Sequence, residues 1–412
     1  MLSDFFASHA RIKELRGSPA GHLIESFARA LSEADYAKLT VHQHLRAAQH
    51  FVYWFRQHGI TLSEVDERVL AQFATHLSQC QCPHYGHVET EVTRGALLFV
   101  THLREIGCIL APFPKESADP ELLSSFGYWM RQQRGTCDAT VFQYNPFVRE
   151  LLKRMGEPGR LSASTLREFV LENHRSCGWA KAKQCTTALR MFVRFLIAKG
   201  LCATGLEAAI PTLAHWRLAT LPRYLQPEEV ERVIASCDPS SRVGRRDRAI
   251  LLLLARLGLR AGDIVHLRLS DIDWKNASIQ VCGKNRRQMR LPLTQEMGQA
   301  IVDYLQAGRP RSSADTVFVR CRAPFHSLRS SCAVSVIVAR ALRRARVDRP
   351  SRGAAHLLRH SIAFSMLRGG ASLAQIAGIL RHSSIQTTQI YAKVDVTALR
   401  PIAQPWPEVC IC

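Results

Sequence analysis

Near its C-terminal end the chain reads His356-Leu-Leu-Arg359-His360, then an apolar run, then Leu380-Arg381-His382 and Thr387-Thr388-Gln389-Ile390-Tyr391. Imidazole, guanidinium and phenol groups stand here in a segment whose other positions pattern as helical core. His356 and Arg359 are three apart, so on a helix they share a face. Ser372 to Leu380 patterns as a second helical run, with His382 just past its end. A third helix is expected from near Ser384, with Tyr391 inside it. Such a face suits holding a phosphate and attacking it, because guanidinium forks match phosphate oxygens and a phenol oxygen is a nucleophile once its proton is taken.

Upstream of this stretch the signals stay dense. Gln226-Pro227-Glu228-Glu229 opens a helix, with Pro at the first position and acids in the first turn. A buried helix is expected from Arg248 to Leu257, broken at Gly258-Leu259-Arg260 and followed by a short helix from Ala261 to Leu267. Ser278 to Val281 and Arg290 to Leu293 read as two strands. The residues between them, Cys282-Gly283-Lys284-Asn285-Arg286-Arg287-Gln288, make a hairpin with a basic turn. The tail from Val394, with Pro401, Pro405 and Pro407, reads as irregular.

The first half reads as helices alone. Thr40 to His58, Ser63 to Leu77 and Val92 to Ile106 repeat apolar residues at helical spacing, with Gly59 and Gly107 as stops. Residues 111–120 form a Pro-containing linker. A second set follows, Thr140 to Met155, a helix opening at Ser164-Thr165 with Glu168 behind it, and Lys181 to Ala198. Phe192-Val193, Leu196 and Gly200 repeat the spacing of Phe99-Val100, Leu103 and Gly107, as duplication or convergence on amphipathic helices would produce. Trp54, Trp129 and Trp179 fall in helical patterns as core. The expected domains are therefore 1–111, 118–210 and 220–412, in a chain too long for one core.

Composition narrows the partners. Lys and Arg number 55 against 34 Asp and Glu, a net charge of +21. The sequence pI is about 9.9. An excess of this size favours a polyanion, DNA, RNA or an anionic membrane surface, and its spread along the whole chain suits wrapping a duplex better than a basic tail. Ala249 to Ala255 is the longest greasy run, far short of the roughly 20 residues that span a bilayer. The charged start, Met1 to Arg16, is unlike a signal peptide, so a cytoplasmic protein is expected. The 13 Cys then read as reduced thiols, with Cys282 and Cys332 expected to be buried. Cys80-Gln-Cys82-Pro-His84-Tyr-Gly-His87 offers four zinc-type ligands, spaced more tightly than finger patterns and without a second half. A structural metal and a plain loop of reduced thiols both fit it, and the second is the simpler.

Arg260, Lys284, His356, Arg359, His382 and Tyr391, in this order and spacing, closely resemble the tyrosine recombinase (phage integrase) family. The resemblance covers Leu221 to Lys393. Leu257-Gly-Leu-Arg260-Ala-Gly-Asp263 with Leu267-Arg-Leu-Ser-Asp271-Ile-Asp273-Trp274 matches its first box, with Asp263 where Glu is usual. Gly283-Lys284, Arg287 and Leu291-Pro-Leu293 match its lysine-bearing hairpin. His356-Leu-Leu-Arg359-His360 and Leu380-Arg381-His382 with Tyr391 match its second box. Arg381 stands where the family usually has Gly, and is expected either to contact DNA or to be exposed.

The resemblance implies a mainly α fold with a small antiparallel sheet in the catalytic domain, preceded by helical DNA-binding domains. Segment 118–210 corresponds to the SAM-like core-binding domain, and segment 1–111 to an extra arm. Arg46, Arg56, Lys153, Arg154, Lys181 and Lys183 are candidates for phosphate contacts there. The implied activity is breakage and rejoining of double-stranded DNA through a 3′-phosphotyrosine, without ATP, metal or other cofactor, by an integrase or transposase of a mobile element. Arg260 and Arg359 would hold the phosphate, Lys284 would protonate the leaving 5′-oxygen, and Tyr391 would attack. His356 would take the tyrosyl proton or bond the phosphate, and His382 would bond a phosphate oxygen. Asp263, Asp271 and Asp273 would cap and orient the Arg260 region. The implied assembly is a homotetramer on paired sites, alone or with other recombinases. A non-catalytic accessory protein and a topoisomerase-like nicking-closing enzyme are the alternatives.

Overall fold

The computed structural model describes residues 2–6, 8–17, 20–82, 89–109, 121–155, 161–213, 221–282, 288–348, 353–382, 384–394 and 400. The 111–120 linker, His84, His87, Lys284 and most of the C-terminal tail lie outside them. The chain clusters into two compact units, one of Met1–Ile60, Leu70–Leu103 and Leu218–Cys412, the other of Thr61–Val69 and Arg104–Arg217. No helix among the described residues is long and apolar enough to cross a membrane.

The N-terminal helices are α1 (His9–Gly17), α2 (Gly21–Glu33), α3 (Lys38–Gln57), α4 (Glu67–Leu77) and α5 (Glu89–Glu105). α1 and α2 were not anticipated. α4 starts later than its apolar spacing suggests, because two polar caps compete for residues 61–66. Thr61 and Glu64 close a capping box on a 3-10 turn, Leu62–Glu64. Asp66 then accepts the backbone N–H groups of Arg68 at 2.8 Å and Val69 at 2.9 Å, which opens the helix proper.

The second unit is built from α6 (Glu121–Arg134), α7 (Asp138–Met155), α8 (Ala163–Ser176) and α9 (Trp179–Ala198). Ser162, rather than Ser164 or Thr165, caps α8 by accepting the Thr165 N–H. Phe126, Val148, Leu151, Leu166, Leu189 and Phe192 form its core. The repeated spacing has one structural meaning in both places. Phe99, Val100 and Leu103, like Phe192, Val193 and Leu196, are fully buried. Gly107 and Gly200 end their helices with φ of +73° and +70°, the left-handed conformation glycine adopts without strain.

The remainder of the first unit holds α10 (Pro227–Ala235), α11 (Arg242–Leu257), α12 (Ala261–His266), β1 (Ile272–Asp273), β2 (Ser278–Cys282), β3 (Gln288–Pro292), α13 (Gln295–Ala307), α14 (Ser331–Arg344), α15 (Ala354–Arg368) and α16 (Leu373–Ile379). The class expected from the sequence, mainly α with one small antiparallel sheet, is the one adopted. The sheet runs β1-β2-β3, with Ile279 opposite Leu291. β1 was missed because a two-residue strand carries no alternation to read.

α11 is the axis of this part, packing against α10, α13, α14 and α15. Leu251 to Leu254 are wholly buried. It begins before Arg248 because its polar start is satisfied internally. Ser241 accepts the Gly244 N–H at 3.0 Å, and Arg246 pairs with Asp247 at 2.7 Å. Cys282 and Cys332, expected inside, are exposed, and among the described residues the buried thiols are Cys185 and Cys237. β2 and α14 each present one half-buried face, so apolar neighbours in sequence do not imply burial.

α11 stops at Gly258, φ +57°. A Cβ there would stand 2.7 Å from Leu380 Cδ2. Gly258→Ala is therefore expected to lower stability by more than the roughly 1–2 kcal/mol of left-handed strain. Thermal unfolding checks this, and an unchanged melting profile would contradict it.

Candidate active site

α15 carries Arg359 into the interior, where it is 4% exposed. Its guanidinium donates to two backbone carbonyls, Gly258 O and Leu380 O. Arg260 is the N-cap of α12 and half-buried. Its backbone N–H donates to Asp263 Oδ2 at 2.8 Å, and its Nη2 donates to Arg381 O at 2.7 Å. Both guanidiniums are thus tied to the residues that lead into His382. Each has five N–H donors, so donors remain for an anion.

Arg381 neither reaches outward nor lies exposed. Its side chain is 6% exposed and donates from Nη2 to Asp263 Oδ2 at 2.7 Å. Its φ is +55°, the left-handed region. Glycine suits that backbone, and a bulky residue stays there only if something holds it. The buried pair with Asp263 is that hold. Asp263 therefore serves two arginines at once. Asp271 and Asp273 do not join it. They cap their own turns, accepting the N–H of Arg268 at 2.8 Å and of Asn276 at 3.0 Å.

One carboxylate among three guanidiniums leaves positive charge for an anion to complete. The charge is held at some expense. Burial first, then Arg260 and Arg381, lowers Arg359 to about 10. Burial likewise lowers Arg260. Arg359 remains a cation at neutral pH.

Tyr391 lies in a 3-10 segment, Gln389–Val394, and not in the α-helix expected from Ser384. Ser384 caps a separate 3-10 turn, Ile385–Thr387, and the β-branched pair Thr387-Thr388 disfavours a regular helix. The tyrosine is 2% exposed, and its hydroxyl stands 2.8 Å from His360 Nδ1. Burial, opposed by Arg359, pushes the phenol up to about 12. Burial, with His356 and Arg359 adding to it, lowers His360 to about 4. At neutral pH His360 is uncharged and can accept the phenol proton in the tautomer that leaves Nδ1 bare.

His382 Nδ1 stands 2.7 Å from Thr388 Oγ1, and Thr388 is fully buried. His382 too is lowered to about 4, by burial and then by Arg359 and Arg260. His356 sits exposed in the first turn of α15, its ring centroid 6.4 Å from that of His360. Arg260, Arg359, His382 and Tyr391 thus gather around the Gly258 and Leu380 to His382 backbone, with His356 at the rim. Lys284 is in the β2–β3 connection outside the described residues.

His360 is the residue that motif reading left without a role. The signal was present, since positions 356 and 360 are four apart and share a helix face. What the sequence lacked was any sign that Tyr391 would pack against that face.

Asp263→Ala is expected to destabilise by about 3–5 kcal/mol, since it strands a buried cation. Adding Arg381→Gly should recover much of that loss, because glycine accepts the left-handed backbone. Equal losses in the single and double variants, measured by denaturation, would contradict the pairing. The fold also favours neutral His360, whose value falls from 6.5 to about 4. Its contribution is full above pH 6.5 and is lost as pH falls toward 4. His360→Gln should make the rise of stability across that window shallower, the remainder coming from His382, which is lowered to about 4 as well.

Comparison with known proteins gives the same family. The model for the phage integrase family matches residues 223–397. "Putative integrase/recombinase y4rA" of Sinorhizobium fredii is 36% identical over 394 residues, 94% of this chain and 95% of that protein. "Tyrosine recombinase XerD" of Lacticaseibacillus casei is 26% identical over 280 residues, covering 66% of this chain and 94% of that protein. Among solved structures, XerH recombinase in a post-cleavage complex with its difH substrate superposes with a TM-score of 0.55 at 17% identity, over 82% of this chain and 95% of that one. A lambda integrase dimer on a COC′ core site gives 0.51 at 18% identity, over 71% of this chain and 98% of that one, and these two likenesses speak for the fold. The chain belongs to the phage integrase family, the tyrosine-type site-specific recombinases.

Proposed function

We propose that this recombinase cuts and rejoins double-stranded DNA through a covalent 3′-phosphotyrosine on Tyr391. The observation that carries the reading is the placement of the Tyr391 hydroxyl on neutral His360, on the helix that also carries buried Arg359. In the first step Tyr391 Oη bonds to phosphorus and the bond from phosphorus to the 5′-oxygen breaks. The phenol proton passes to His360 Nδ1, a role the sequence had offered to His356. Lys284 gives a proton to the leaving 5′-oxygen. Arg260 and Arg359 neutralise the charge that gathers on the equatorial oxygens, His382 bonds one of them, and exposed His356 bonds another at the rim. Rejoining reverses these transfers, with a 5′-hydroxyl as nucleophile. The ester conserves the bond energy, so no ATP is consumed.

The domain roles follow the same reading. Segment 118–210 grips the core site and segment 1–111 serves as an arm on flanking DNA or a neighbouring subunit. Not every basic residue there is available to phosphates. Arg154 is engaged by Glu150 and Glu172, whereas Arg56, Lys153 and Lys181 are exposed. Four copies assemble on two paired sites in the cytoplasm, in the service of a mobile element.

The test uses a nicked suicide duplex carrying a site selected from random DNA by binding. Wild type is expected to form a denaturation-resistant adduct and Tyr391→Phe none. An adduct in Tyr391→Phe removes the nucleophile assignment, and its absence in wild type on a bound site favours an accessory role. Arg260→Ala and Arg359→Ala should each slow cleavage on the order of 10²–10³-fold. Normal cleavage by both would contradict the phosphate clamp. Binding should weaken steeply with salt.

A further inference from the structure

Far along the sequence from the catalytic residues, four metal-ligand side chains converge in the N-terminal helices. His50 comes from α3 and His76 from the last turn of α4. Cys80 and Cys82 come from the turn that follows α4. One ligand atom from each lies within 4.8 Å of all the others. Cys80 Sγ is 3.3 Å from His50 Nε2, and Cys82 Sγ is 3.3 Å from His76 Nε2. In a tetrahedral zinc site, with Zn–S about 2.3 Å and Zn–N about 2.0–2.1 Å, the S···N edge is about 3.6 Å. The observed spacings already approximate two edges of that tetrahedron, and with every other pair within 4.8 Å, shifts of up to about an ångström would complete it.

We propose that His50, His76, Cys80 and Cys82 form a structural Zn²⁺ site that fastens the turn after α4 to α3. The donor set selects the ion, since two sulfurs and two imidazoles in a tetrahedron suit zinc rather than a hard cation. Charge selects it as well. Two thiolates and one divalent ion sum to zero, which suits a site walled by aromatic rings. His50 is 2% exposed, its ring centroid 5.2 Å from that of Phe73 and 5.9 Å from that of His76. All four positions are filled by protein, so the site is closed and holds structure rather than performing catalysis. Two separate thiol–imidazole hydrogen bonds would explain either 3.3 Å contact, but not the gathering of all four ligand atoms within 4.8 Å of one another. The ligand set also differs from the one a linear reading of residues 80–87 suggests. His50 comes from 30 residues upstream, and His84 and Cys80 need not share an ion.

The full chain, purified without chelators from zinc-supplemented cells, is expected to carry stoichiometric zinc by elemental analysis. Wild type stripped and reloaded with Co²⁺ should show the strong visible bands of a tetrahedral thiolate site, a readout that needs no variant. His50→Asn with His76→Asn, and separately Cys80→Ser with Cys82→Ser, should lose the metal, while His84→Asn with His87→Asn should keep it. Chelation should lower the melting temperature of wild type and leave the Cys80→Ser/Cys82→Ser protein unmoved. Metal-free wild type that gives no cobalt thiolate bands would overturn the site. So would retention of zinc by the His50/His76 variant together with its loss from the His84/His87 variant.

Discussion

Two guanidiniums bonded to backbone carbonyls, one buried and one half-buried, set the geometry of the catalytic end. Arg359 holds Gly258 O and Leu380 O, and Arg260 holds Arg381 O. These bonds join the end of α11 to the turn after α16, which are far apart in sequence. The constraint explains the unusual backbone on both sides. Gly258 and Arg381 each take a positive φ, +57° and +55°, and thereby turn their carbonyls or neighbours toward the arginines. It also explains why a small second core, Ala363, Leu367, Ile376, Leu380 and Tyr391, stands beside the main one. That core fixes the phenol relative to α15, while the arginine bonds fix the turn that carries His382.

The same burial that orients the groups shapes their proton chemistry. A phenol at about 12 facing an imidazole at about 4 will not ionise in the resting protein. In the proposed reaction the proton leaves as the oxygen–phosphorus bond forms, because only then does the oxygen lose its affinity for it. A permanently charged phenolate would instead need a standing counter-ion and would compete with the phosphate for Arg359. On that proposal, withholding ionisation until a phosphate is aligned would keep the nucleophile quiet on the wrong substrate.

Local patterns made the helices, the two longer strands and the family boxes legible. Amphipathic spacing located α3, α5, α7 and α9 to within a few residues, since each must bury one stripe. The failures share a cause, which is pairing between residues far apart in sequence or competition between short-range caps. Thr61 and Asp66 delayed α4. Ser384 and Thr388 turned the expected last helix into 3-10 segments. Arg381 looked like a spare surface charge because its partner, Asp263, lies over a hundred residues away. His360 stood in plain view beside Arg359, yet its role depends on where Tyr391 packs, and no local pattern encodes that.

The two clusters of polar groups inside this chain meet the cost of burial in opposite ways. At the catalytic end Asp263 satisfies only part of the charge of Arg260, Arg359 and Arg381. In the proposed reaction a phosphate supplies the balance and then departs. Around Phe73 and Trp54 the groups are thiols and imidazoles, weak donors that aromatic walls compensate poorly. A permanently bound divalent cation would close that balance with no demand for a ligand to leave. A site built for turnover keeps an unmet charge, and one built to hold a fold should keep none. The His50, His76, Cys80 and Cys82 cluster has the composition of the second kind.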